Sequence, residues 1–70
     1  MSLYTVTTED FETVAVRVPL SVAVAISGTS IQNARRDFAE YGVAGTGRFI
    51  IEPAAYATLR DGWVHPDFIL

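Results

Sequence analysis

The sequence predicts an α+β domain: a small antiparallel sheet of three to five strands with one amphipathic helix, over about 30–41, packed on one face. Three observations predict it. Twenty of the 70 residues are Val, Ile or Thr, the β-branched set that favours strands. Apolar residues alternate with period two through most of 11–26. A single stretch after Thr29 carries the helical period together with start and stop signals. Seventy residues make one small domain, 1–70, because a shorter core could not support two.

Residues 3–8 read as a strand with Tyr4 and Val6 on one face. Glu9-Asp10 reads as a turn, and 11–18 as the returning strand of a hairpin. In that strand Val14, Val16 and Val18 share a face, with Phe11, Thr13, Ala15 and Arg17 opposite. Pro19 lacks a backbone donor and ends or bends the strand. Residues 20–26 alternate again, with Leu20, Val22, Val24 and Ile26 against Ser21, Ala23 and Ala25, and are expected as a strand rather than a helix opened by Pro19.

The helix over about 30–41 follows Thr29-Ser30-Ile31-Gln32, which fits a capping box with Thr29 as N-cap. Ile31, Ala34, Phe38 and Tyr41 form one apolar stripe, and Gly42 stands where a left-handed C-terminal cap belongs. The expected core brings this stripe onto Val14, Val16, Val18, Val22, Val24 and Phe49. Gly42, Gly45 and Gly47 mark a flexible loop before a central strand over 48–52. Residues 53–61 read as a short helix or the start of a return strand. The tail from Gly62 holds Trp63, His65 and a final Phe68-Ile69-Leu70, apolar enough to dock on this chain or on another.

Composition narrows the chemistry. There are eight acids, five bases (all arginine) and no cysteine, for a net charge of −3. No disulfide framework, cysteine metal site or thiol nucleophile is available. High apolar content with small net charge disfavours disorder, and the acidic balance disfavours a nonspecific nucleic-acid binder. The apolar window 14–26 is interrupted by Arg17, Pro19 and Ser21 and is too short for a spanning helix. The N-terminus shows no leader pattern, so the expected compartment is cytoplasmic, with no membrane partner.

The candidate motifs carry little chemistry. Gly42 to Gly47 has G-x-x-G-x-G spacing, but a phosphate loop runs from strand to helix, and here the order is reversed. His65 with Asp61, Asp67 and Ser27 or Ser30 spells a triad on paper, without an implied oxyanion hole. The same histidine and acids are too few for zinc. Glu9, Asp10 and Glu12 lack calcium-loop spacing and read as solvated turn residues. On the polar helix face, Gln32, Asn33, Arg35 and Arg36 are residue types that read base edges and phosphates. This helix would be the second of a helix-turn-helix if 20–26 were helical.

Thr13-Val14-Ala15-Val16-Arg17-Val18-Pro19, then Gly28-Thr29-Ser30 and a helix with Arg35-Arg36, resembles a ribbon-helix-helix DNA-binding protein. The resemblance implies that Thr13, Ala15 and Arg17 enter the major groove from a dimer. It covers less than half of the chain, and the eight residues between Pro19 and Gly28 are fewer than the family's first helix.

The expected function is a non-enzymatic protein–protein interaction module. The analogy is to small phage or mobile-element accessory proteins that inhibit or modulate a host complex, such as an anti-CRISPR inhibitor. The partner is another protein or a second copy, through Gln32, Asn33, Arg35, Arg36, Glu40, Trp63 and Phe68. No catalytic residue, cofactor, metal or small-molecule substrate is inferred. The alternative is a small DNA-binding regulator of ribbon-helix-helix or helix-turn-helix type.

Overall fold

A computed structural model describes residues 2–68. Its elements are β1 (Tyr4–Thr8), β2 (Thr13–Val18), α1 (Leu20–Ser27), α2 (Ile31–Tyr41), β3 (Ala44–Gly45), β4 (Phe49–Pro53) and β5 (Trp63–Val64), followed by a 3-10 turn at Pro66–Phe68. The strands form one antiparallel sheet in the order β3-β4-β1-β2-β5. The fold class is therefore the α+β sheet expected, with five strands but two helices.

β1 and β2 form the expected hairpin, with its turn at Glu9-Asp10-Phe11. The pairing Tyr4↔Val18, Val6↔Ala15 and Thr7↔Thr13 contains two register shifts. At one of them Arg17 takes a left-handed φ of +50°. Each bulge inserts a residue and switches which face the following side chains meet. The simple alternation of Val14, Val16 and Val18 therefore breaks. Val14, Ala15 and Val18 all join Val6 and Ile51 in one core cluster, whereas Val16, also buried, pairs with Trp63 outside that cluster. β1, not β4, is the middle strand, although β4 is internal as its apolar run suggested.

Residues 20–26, expected as a strand, are helix. Ala23, Val24, Ile26 and Ser27 are the buried positions, a spacing of a helical face and not of a strand face. Leu20, Val22, Val24 and Ile26 imitate period two because the residues between them are small, and a segment apolar on every side carries no readable period. Pro19 sits just before the helix at φ −60°, and its carbonyl accepts the amides of Val22 and Ala23. A strand here would also need a free edge on β2, which β1 and β5 already occupy.

α2 matches its expected span. Its N-cap is Ser30, not Thr29: the Ser30 hydroxyl accepts the Asn33 amide at 3.1 Å. Thr29 instead donates its own amide to the Val24 carbonyl, closing the preceding helix. Gly42 ends α2 in the left-handed region, as expected. The stripe is only partly buried. Ala34 is fully buried and Phe38 stacks on Tyr4 at 5.1 Å, but Ile31 and Tyr41 overhang the sheet and are exposed. The helix is longer than the surface it covers, so the expected core loses its two ends. It gains Val6, Ala23, Ala44 and Ile51.

The expected flexible glycine loop contains the edge strand β3. Gly47, at φ +84°, opens a two-residue turn that the Thr46 amide closes on the Phe49 carbonyl at 3.1 Å. Positive φ at the first turn position is the hairpin geometry that glycine supplies without steric cost. Residues 54–61 are neither helix nor strand, but a loop whose end is pinned from within. The Asp61 carboxylate accepts the Thr58 amide and hydroxyl and pairs with Arg17 at 3.2 Å. The tail docks on this chain: Phe68 meets Phe49 edge-on at 5.6 Å. Ile69 and Leu70 lie outside the described residues.

Candidate interaction surface

The expected contact residues fall in three places. Gln32, Asn33, Arg35, Arg36 and Glu40 are exposed on α2. Trp63 lies half-buried on the sheet face away from the helices, beside Val16 and under Arg60, whose guanidinium sits 5.4 Å from the ring centroid. Phe68 lies at the end of the sheet that carries the β1–β2 turn. His65 touches both rings, at 5.9 Å from Trp63 and 5.9 Å from Phe68. The α2 group is not joined to either.

His65 does not assemble a triad. Its Nδ1 accepts the Asp67 amide at 3.1 Å, which holds the 3-10 turn, and Asp61 is engaged by Arg17 and Thr58. Ser27 is buried at the end of α1, and among the described residues its hydroxyl has no hydrogen-bond partner. Among the described residues no group of three or more His, Asp or Glu is placed to hold a metal ion. No helix of the described residues is long and apolar enough to cross a membrane.

The hairpin tip carries a feature that alternation along the strand does not reveal. The Phe11 amide donates to the Thr8 carbonyl at 2.9 Å, and the Thr8 amide donates to the Glu12 carbonyl at 2.8 Å. The Glu12 amide donates to the Thr8 hydroxyl at 3.1 Å. This is a three-residue loop in which a type I turn is followed by one left-handed residue. That residue is Phe11, at φ +65° and 80% exposed. Glycine or asparagine fits the position; a bulky aromatic there is a steric outlier and, in water, buries almost nothing. The left-handed Arg17 is explained by its bulge and its pairing with Asp61. Among the described residues nothing compensates Phe11 in this way.

Beside Phe11 lies a cleft of about 270 Å³. Phe49 and Phe68 form its aromatic wall, and Thr8, Glu9, Asp10, Glu12 and Arg48 line the rest. The Glu9 amide donates to the Arg48 carbonyl at 3.0 Å, so the two hairpin turns are tied together at this end. None of the three carboxylates forms an ion pair among the described residues, and neither does Arg48. The formal balance of the lining is therefore negative.

A second exposed apolar group sits at the opposite end of the hairpin, in 54–61. Leu59 is fully exposed and Tyr56 nearly so, while the neighbouring Thr58–Asp61 turn is closed by internal hydrogen bonds.

Comparison with protein-family models, with curated proteins and with solved structures finds no match. The fold and the surface define a small acidic α+β domain that presents aromatic side chains from tight turns.

Proposed function

We propose that this domain is a non-enzymatic protein-binding module, and that the hairpin-tip end is its contact face. The observation that carries the reading is Phe11. A bulky residue held left-handed at a tip costs folding stability and returns none of it by burial. Exposed aromatics of this kind anchor interfaces, where a few such side chains supply most of the binding energy. The flanking Phe49–Phe68 wall supports the same reading. On it, the domain acts by occupying a surface of a larger complex, as small phage or mobile-element inhibitors of host complexes do, anti-CRISPR inhibitors among them.

The test places a photo-crosslinking amino acid at Glu12, next to Phe11, and exposes the folded protein to extract from its host. A single stoichiometric adduct that Phe11→Gly removes is the expected result. No adduct, or one indifferent to Phe11→Gly, overturns the reading.

One observation favours a second reading. α1 and α2 are joined through Gly28, at φ +75°, and α2 exposes Gln32, Asn33, Arg35 and Arg36 beyond the turn. Two helices joined by a three-residue turn have the connectivity of a helix-turn-helix, which the expected strand over 20–26 sets aside. The ribbon-helix-helix version fits less well. β2 is paired on both edges within the chain, leaving no edge for a two-chain ribbon, and Ala15 is buried in the core. Against DNA stand the net charge of −3 and the acids Asp37 and Glu40 on α2 itself. Low-salt binding to duplex DNA that Arg35→Ala and Arg36→Ala abolish would establish the second reading over the first.

A further inference from the structure

We infer that the cleft beside Phe11 receives a basic side chain, an arginine or a lysine, from the protein that Phe11 contacts. The inference rests on the protein-binding reading and deepens it. Carboxylates at a turn are by themselves ordinary solvated groups. Here they line a half-open cleft with an aromatic side. At about 270 Å³ it falls below the usual range for small-molecule sites but has room for one long side chain.

The wall and the rim ask for the same chemistry. Phe49 and Phe68 meet edge to face at 5.6 Å, giving an apolar surface along which the methylene stem of Lys or Arg lies. Glu9, Asp10 and Glu12 around the opening offer acceptor oxygens that no cation of the described chain takes up. A guanidinium there gains charge-assisted hydrogen bonds from more than one carboxylate. Arg48, on the same lining, opposes the incoming cation, but three negative groups to one positive leave the balance in its favour. An acidic or neutral segment gains nothing from this rim, so charge complementarity selects a basic partner surface.

The experiment titrates the isotope-labelled domain with N-acetyl-arginine methylamide and, in parallel, with the uncharged citrulline analogue, reading backbone amide shifts. The arginine probe is expected to shift Thr8 to Glu12, Arg48, Phe49 and Phe68, weakly and less at high salt, while citrulline leaves them unmoved. Replacing Glu9, Asp10 and Glu12 together by their amides should weaken the arginine probe about tenfold. Arg48→Ala should strengthen it about twofold to threefold, because it removes a like charge. Equal shifts with both probes, shifts elsewhere, none up to the solubility limit, or no response to either variant overturns the inference.

The crosslinking assay separates this failure from failure of the underlying reading. If Phe11→Gly abolishes partner capture while the triple amide variant retains it, the tip binds a partner but the cleft does not take its cation. If neither change matters, both readings fall. All the substituted side chains are exposed or line an open cleft, and a dispersed amide spectrum confirms that each variant is folded.

Discussion

The amide of Phe11 donates to the carbonyl of Thr8 at 2.9 Å, closing a turn that leaves a phenyl ring in water at φ +65°. Phe11→Gly is expected to raise stability by about 0.5–1 kcal/mol, the left-handed strain relieved less the extra chain entropy of glycine. Chemical denaturation measures it. A loss of stability would show that Phe11 is held by contacts within the fold and remove the argument for a partner.

The cap of α2 separates two neighbouring hydroxyls. Ser30→Ala should cost about 1 kcal/mol, since the Asn33 amide loses its acceptor. Thr29→Ala should cost only a few tenths, because Thr29 contributes its backbone amide and not a capping hydroxyl. Melting curves of the two variants check the order, and a reversed order restores Thr29 as the cap.

Phe38 holds α2 to the sheet through its stack on Tyr4. Phe38→Ala should destabilise by about 2–3 kcal/mol, below the usual cost for a fully buried ring because Phe38 is half-buried. A double-mutant cycle with Tyr4→Leu should return a coupling of about 0.5–1.5 kcal/mol. Additive single effects would mean that the rings pack independently.

Asp61 fastens the loop 54–61 rather than the fold. Asp61→Ala should raise hydrogen exchange at Thr58 and shift the global midpoint little, because the Arg17–Asp61 pair is partly exposed and such pairs contribute about 0–1 kcal/mol. Amide exchange by NMR reads both. A large drop in global stability would place Arg17–Asp61 among the contacts that hold the sheet together.

Ile51 is fully buried between β1 and β3. Ile51→Ala should cost about 3–4 kcal/mol, a large share of what a domain of this size has in total. Loss of the cooperative thermal transition is the expected readout.

Much of this was legible in the sequence. The β1–β2 hairpin, α2 with its Gly42 end and the strand at Phe49 rest on signals within a few residues: alternation, a capping hydroxyl, a glycine of positive φ. The candidate site was less legible. By alternation Phe11 is one more position on a strand face, although a bulky residue directly after Glu9-Asp10 in a hairpin turn is a signal of its own. The cleft could not be foreseen, because Phe49, Phe68 and Arg48 reach the β1–β2 turn only through the pairing of β4 with β1 and the docking of the tail.

Local signals in the sequence specify the α+β class, the antiparallel hairpin and the polar, capped helix over 31–41. Long-range packing makes 20–27 a helix, turns Ala15 onto the core face and leaves Ile31 and Tyr41 in water. The physical reason is range. Periodicity and caps act over one or two turns of chain, whereas a segment apolar on all sides takes its conformation from which sheet face is open and which strand edges are taken. Those are settled only when residues far apart in the sequence pair.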